Sequence, residues 1–176
     1  MDIFDYVIVG AGAAGCVLTN RLTAEDSATV CVIEAGGGDG HPLIHIPAGF
    51  VKTLYGERFV WPFATEASEA LGGRSVSIPQ GKVLGGSSSV NGMVYNRGQR
   101  ADFDIWAQLG NRGWGFDDLL PYFKRSETRH GPGDDRYRGR EGELPITDLD
   151  WTNPLAEAFI AAAVGMGIPR IADYNA

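Results

Sequence analysis

The stretch Asp5-Tyr6-Val7-Ile8-Val9-Gly10-Ala11-Gly12-Ala13-Ala14-Gly15-Cys16 decides the fold. Apolar, β-prone residues run into a G-x-G-x-x-G turn, and apolar residues then recur at helical spacing from Ala13 to Thr23. Ile3 to Val9 is expected to be a buried strand, and Ala13 to Thr23 a helix whose inner face carries Cys16, Val17 and Leu22. Ala28 to Glu34 is rich in β-branched residues and reads as a second strand. Strand, tight turn, helix and parallel strand form a Rossmann-type βαβ unit, the opening of a doubly wound α/β sheet.

Each glycine of the turn answers a steric demand. Gly10 permits a sharp exit from the strand, Gly12 leaves no Cβ between backbone and a diphosphate, and Gly15 lets helix and strand pack closely. The diphosphate is then expected at Ala13, Ala14 and Gly15, where free N–H groups and the helix dipole favour negative charge. Glu34 ends the second strand about 20 residues on, with Ala35 just after it, where an acid accepts hydrogen bonds from an adenosine ribose and disfavours a 2′-phosphate. This turn alone does not separate NAD from FAD.

A second glycine-rich run, Gly81-Lys82-Val83-Leu84-Gly85-Gly86-Ser87-Ser88-Ser89-Val90-Asn91, continues into Gly92-Met93-Val94-Tyr95-Asn96-Arg97-Gly98. Its Gly and Ser residues leave main-chain N–H groups open to an anion. Val83, Leu84, Val90, Met93 and Val94 are apolar enough to be packed, which argues against a flexible linker. The run closely resembles the first signature of the glucose–methanol–choline (GMC) family of FAD-dependent oxidoreductases. The N-terminal stretch, Glu34-Ala35-Gly36, Phe103-Asp104-x-Trp106 and Trp114-x-x-x-Asp118-Leu119-Leu120-Pro121-Tyr122-Phe123 are similar to that family too, in its choline-dehydrogenase and alcohol-dehydrogenase branch.

The resemblance implies the start of a discontinuous FAD domain. Residues 1–36 would be the ADP-binding unit, 37–80 a cofactor-covering loop region, 81–100 the flavin- and pyrophosphate-binding signature, and 101–176 a helical flank leading towards the substrate domain. It further implies that Gly81, Lys82, Val83, Leu84, Gly85, Gly86, Ser87, Asn91, Gly92, Met93 and Val94 contact FAD, with Trp61 contributing from the long loop. Members with tethered FAD carry a histidine where this sequence has Val90, so non-covalent FAD is expected. The implied reaction is hydride transfer from an alcohol to flavin N5. Its base, a histidine paired with a second histidine or an asparagine, is expected downstream of Ala176, so no catalytic residue is assigned. A lyase or photodecarboxylase on the same framework, and a non-catalytic or split dinucleotide-binding fragment, are the alternatives.

The remaining sequence bounds partners and location. A net charge of −7 argues against nucleic acid as a partner. The small-molecule alcohol and the remainder of the polypeptide, or a second chain, are expected instead. Arg136-Tyr137-Arg138-Gly139-Arg140 reads as a solvated loop within a polar surface excursion from His130 to Gly142. Cys16 and Cys31 read as small buried thiols, and no spacing suggests a metal. No signal peptide or membrane-spanning run is apparent, which makes a cytoplasmic location the default.

Gly36 to Leu71 shows no clear periodicity and is expected to be a long loop. Helices are expected over Ala101–Leu109, Phe116–Ser126 with Asp117 as N-cap, and Pro154–Val164. His41, His45 and His130 read as structural or solvated. No later segment supplies the missing strands of a parallel sheet, so the chain is expected to be part of a longer polypeptide and to leave apolar surface bare.

Overall fold

The structure, a computed structural model, describes residues 2–25 and 27–175. The chain divides into two units, Met1–Val94 and Tyr95–Ala176.

In the first unit, β1 (Tyr6–Val9) and β2 (Val30–Ile33) pair in parallel, joined by α1 (Ala13–Thr23). The register sets Tyr6 opposite Val30 and Val9 opposite Ile33. Both strands are shorter than the sequence suggests. Pairing begins where Asp5 accepts hydrogen bonds from the Thr29 N–H at 2.8 Å and the Thr29 hydroxyl at 2.7 Å. These bonds, the main-chain one foremost, hold the Asp5 carboxyl below the usual carboxylate range. Ile3 and Phe4 lie outside the strand.

The expectation of a buried first strand is corrected. Val9 is 83% exposed, Val7 and Ile33 are also exposed, and Cys16 and Val17 on α1 face solvent. Cys31 is half-buried, so neither cysteine is a buried thiol. A sheet of two strands covered by one helix lacks the neighbours that would enclose these side chains. Gly15 is the only buried residue of α1.

The segment expected as a loop is in part regular. It holds α2 (Pro42–His45), a 3₁₀ turn at Pro47–Gly49, α3 (Phe50–Thr53) and all of β3 (Val60–Ala64), which pairs antiparallel with β4 (Ser77–Gly81). Pro62 stands opposite Pro79, so both missing amide donors fall on one rung and the rest of the ladder is spared. Phe59, Val60, Val83 and Val90 form a buried cluster with Ile44 and Leu54 packed against it. Val83 and Val90 thus anchor the second glycine run, whereas Leu84, Met93 and Val94 are exposed.

The second unit contains α4 (Arg100–Gln108), α5 (Phe116–Ser126), the parallel pair β5 (Glu127–Arg129) and β6 (Leu144–Ile146), and α6 (Pro154–Gly165). The N-terminus of α5 is not capped by Asp117. Asp118 accepts the Gly115 N–H at 3.2 Å and Asp104 accepts the Phe116 N–H at 3.0 Å, while Asp117 forms a two-pronged pair with Arg100. Phe103 packs edge-on against Trp106 and lies 5.4 Å from Phe123 between ring centres. Helix α6 is apolar, yet Leu155 and Phe159 are exposed.

The basic run is not a solvated loop throughout. Arg136 pairs with Asp134 and Arg140 with Asp135 at the surface, but Arg138 is 2% exposed. Its Nε lies 3.3 Å from Glu127 Oε1, an oxygen that also takes Arg97 Nη2 at 2.9 Å and the Gly139 N–H at 2.7 Å. Glu127 is fully buried, and two guanidiniums and one amide surround its Oε1, while Oε2 has no hydrogen-bond partner. Gly139 and Gly142 press against the end of α5, with no room for a Cβ at either. Replacing Glu127 by Gln leaves two buried cations without their shared anion and should lower unfolding stability by about 3–5 kcal/mol. Denaturant titration of E127Q beside the exposed control D117N, expected to unfold close to wild type, checks this.

Candidate cofactor-binding cleft

A cleft of about 610 Å³ opens over the carboxyl ends of β1 and β2. It is lined by Gly10, Gly12, Ala13, Ala14 and Gly15 of the first turn, by Glu34 and Ala35, by Trp61, and by Gly81, Gly86 and Ser87 of the second glycine run. Ile8, Val9, Leu18, Ile33 and Ser88 also line it and were not foreseen. Ends of parallel strands beside a glycine turn are where such ligands lie, and that rule could have found Ile8, Val9 and Ile33. Lys82, Val83, Leu84 and Gly85, and Asn91, Gly92, Met93 and Val94, are outside the lining.

The two glycine runs are joined by main chain. The Gly85 N–H donates to the Ala11 carbonyl at 2.7 Å, and the Leu84 N–H to the Gly37 carbonyl at 2.9 Å. A Cβ on Gly86 would fall 2.7 Å from Gly12 Cα, and Gly86 is held at a φ of +60°. A Cβ on Gly36 would strike the Lys82 carbonyl, one on Gly81 the Gly86 carbonyl, and one on Gly15 the Gly10 carbonyl. The short 3₁₀ turn Gly86–Ser89 is fastened from within. Ser87 Oγ accepts the Gly81 N–H at 2.9 Å, and Ser89 Oγ donates to the Leu84 carbonyl at 2.7 Å.

A dinucleotide diphosphate fits what the cleft offers. The first intrahelical bond of α1 runs from Cys16 to Gly12, and no side chain caps the helix, so the N–H groups of Ala13, Ala14 and Gly15 have no helical acceptor. Gly12 carries no side chain at the point where these donors converge. Gly10 sits at a φ of +95°, which an L side chain adopts only under strain.

Glu34 does more than the sequence suggests. One carboxylate oxygen accepts the Ala11 N–H at 2.8 Å and the other accepts the Gly36 N–H at 2.8 Å, so this side chain ties the first turn to the exit of β2. Each oxygen keeps a lone-pair direction for a further donor.

Trp61 lies on β3 and not in a loop, with its ring stacked towards Phe63 and the Lys82 ammonium 4.2 Å from its ring centre. Asn91 accepts the Met93 N–H at 2.8 Å, and Met93 has a φ of +58°. No histidine reaches the cleft lining. His41 Nδ1 accepts the Leu43 N–H at 3.2 Å at the start of α2, His45 ends that helix, and His130 is exposed. Among the described residues there is no group of three metal-ligating side chains, and no helix is long and apolar enough to cross a membrane.

The GMC oxidoreductase family model matches residues 4–176. The chain belongs to the GMC oxidoreductases. It is 45% identical over 171 residues to an oxygen-dependent choline dehydrogenase of Rhizobium etli, covering 97% of this chain and 31% of that protein. Pyridoxine 4-oxidase from Mesorbium loti superposes with a TM-score of 0.85 at 40% identity, over 97% of this chain and 34% of that one. An FAD-dependent oxidoreductase from Chaetomium thermophilum superposes with a TM-score of 0.81 at 33% identity, over 99% of this chain and 31% of that one. This GMC chain therefore spans about a third of the length of the relatives it matches.

Removing the Glu34 carboxylate strands two main-chain donors beside the cleft. Glu34→Ala should cost about 1–3 kcal/mol in stability, and Glu34→Gln, which can still accept through one oxygen, should cost less. Thermal unfolding of the two variants checks the ranking; equal and negligible shifts would show that the two bonds hold nothing.

Proposed function

We propose that the chain is the N-terminal, FAD-binding portion of an enzyme that oxidises an alcohol, with FAD held non-covalently in the cleft. The observation carrying this reading is the meeting of two glycine runs and one uncapped helix N-terminus around a single opening. Family membership and the names of the relatives, a choline dehydrogenase and a pyridoxine oxidase among them, point to an alcohol as the donor.

The chain's residues would divide the work by position. The N–H groups of Ala13, Ala14 and Gly15 hold the diphosphate, with Gly12 giving it room. Glu34 accepts the ribose hydroxyls through its remaining lone pairs while Ala35 and Trp61 wall the cleft. Gly81, Gly86 and Ser87 close the cleft's other side with main chain, and Lys82, Val83, Leu84 and Gly85 hold that turn in place. Asn91, Gly92, Met93 and Val94 extend the contact towards the flavin. Bound FAD would supply the hydride acceptor. The base that takes the hydroxyl proton is assigned to sequence outside residues 1–176, since no histidine is part of the cleft lining.

On this reading residues 1–36 are the ADP-binding unit, 37–80 cover the cofactor, 81–100 are the flavin-binding signature, and 101–176 lead towards the substrate domain. The remainder of the polypeptide is the principal partner. A cytoplasmic location is part of this reading, and the two free cysteines fit a reducing compartment. Val90 supports dissociable FAD because it is a hydrocarbon side chain packed in the core, with no group to bond a flavin.

Acid precipitation of the full-length enzyme should release FAD into the supernatant, one per polypeptide by fluorescence. Flavin colour remaining with the pellet would overturn the non-covalent assignment. Anaerobic addition of small alcohols should bleach the flavin band, and no bleaching by any alcohol would overturn the reaction assigned.

A further inference from the structure

Among the described residues, Lys82 is the cation seated on an aromatic side chain of the cleft. Its ammonium lies 4.2 Å from the centre of the Trp61 ring, and Trp61 is part of the lining. Glu34 is the only formally charged residue of that lining, so the cleft's own walls bring negative charge to a ligand that carries a diphosphate. Among the described residues, no carboxylate forms a salt bridge with Lys82. Its charge is therefore not spent on a neighbouring acid.

The main chain fixes the base of this side chain. The Lys82 N–H donates to the Phe59 carbonyl at 2.7 Å, and its own carbonyl leaves no space for a Cβ on Gly36. Trp61 is set by the β3–β4 register, opposite Gln80, two positions before Lys82. The indole thus comes from β3 and the ammonium from the residue that follows β4, and the β3–β4 pairing that sets both is independent of any ligand. Trp61 is 38% exposed, so strand pairing alone leaves its ring partly free, and the ammonium on one face restrains it.

We propose that Lys82 is a positioning residue for the cofactor. It holds the Trp61 indole as a fixed wall by cation–π attraction, and it supplies the positive charge that the lining lacks. The proposal rests on the reading of the cleft as the FAD site. It differs from a general role for the second glycine run, because it assigns the function to the side chain and makes it depend on Trp61.

The test is FAD titration of the apo form of the full-length enzyme for wild type, K82M, K82R, W61L and K82M/W61L. Lys82→Met keeps the packing of the stem and removes the charge, and Lys82→Arg keeps charge and stacking. K82M should weaken FAD roughly three- to thirtyfold, the range expected for a partly desolvated cation–π contact. K82R should stay within about threefold of wild type. The loss in K82M should shrink as KCl rises from about 0.01 M to 1 M, where the screening length falls from about 30 Å to about 3 Å.

The double variant should bind no more weakly than the weaker single variant, because either substitution already breaks the pair. Acrylamide quenching of tryptophan fluorescence in the apo form should rise for K82M relative to wild type, and the rise should vanish when K82M/W61L is compared with W61L. Circular dichroism of K82M separates misfolding from lost binding, and a misfolded K82M passes the decision to Lys82→Gln, which removes the charge on a polar stem and should weaken FAD over the same range. Unchanged affinity and quenching in K82M, or losses that simply add in the double variant, would overturn the role of Lys82. Failure of the wild-type enzyme to take up FAD at all would instead overturn the underlying assignment of the cleft.

Discussion

Main chain against main chain, between Gly12 and Gly86, is the constraint on which the first unit depends. The Gly86 position would hold a Cβ only 2.7 Å from Gly12 Cα, and the Gly85 amide reaches the Ala11 carbonyl beside it. Backbones this close leave no place for side chains. The composition of both runs follows from that fact before any ligand is considered. Their glycines serve the protein's own packing as much as the ligand's approach.

The same contact explains how distant parts of the chain form one opening. Glu34 tethers the first turn to the exit of β2, Gly37 takes the Leu84 amide, and Phe59 takes the Lys82 amide. Val83 and Val90 then bury themselves with Phe59 and Val60, so the run between them is pinned at both ends. Hydrogen bonds set the position, and a small hydrophobic cluster secures it. The uncapped end of α1 is left facing the space so enclosed.

How much of this was legible in the sequence depended on the range of the interaction. The βαβ unit was readable because its signals are local: strand residues, glycines at fixed offsets, helical spacing. α1 and α5 have the bounds that periodicity suggests. β3 and β4 were hidden by Pro62 and Pro79, each of which argues against a strand until the two are seen to share a rung. The buried state of Arg138 was hidden because its partner is Glu127 and a run of arginines resembles a solvated face. The exposure of Val7, Val9 and Cys16 was hidden for the opposite reason: an apolar pattern records a preference for burial and says nothing about whether a second layer is there. Within the cleft, the glycines and Glu34 were readable, but the double duty of the Glu34 carboxylate required knowing which amides lay within its reach.

The doubled attachment of the second glycine turn has a consequence for how a nucleotide is received. Its serine hydroxyls and neighbouring amides already have protein acceptors and donors, so the turn owes its shape to folding and not to the guest. Ordering entropy is lost once, when the polypeptide folds, and little of it is charged again on association. Such preorganisation gives this wall of the cleft a settled shape before any guest arrives.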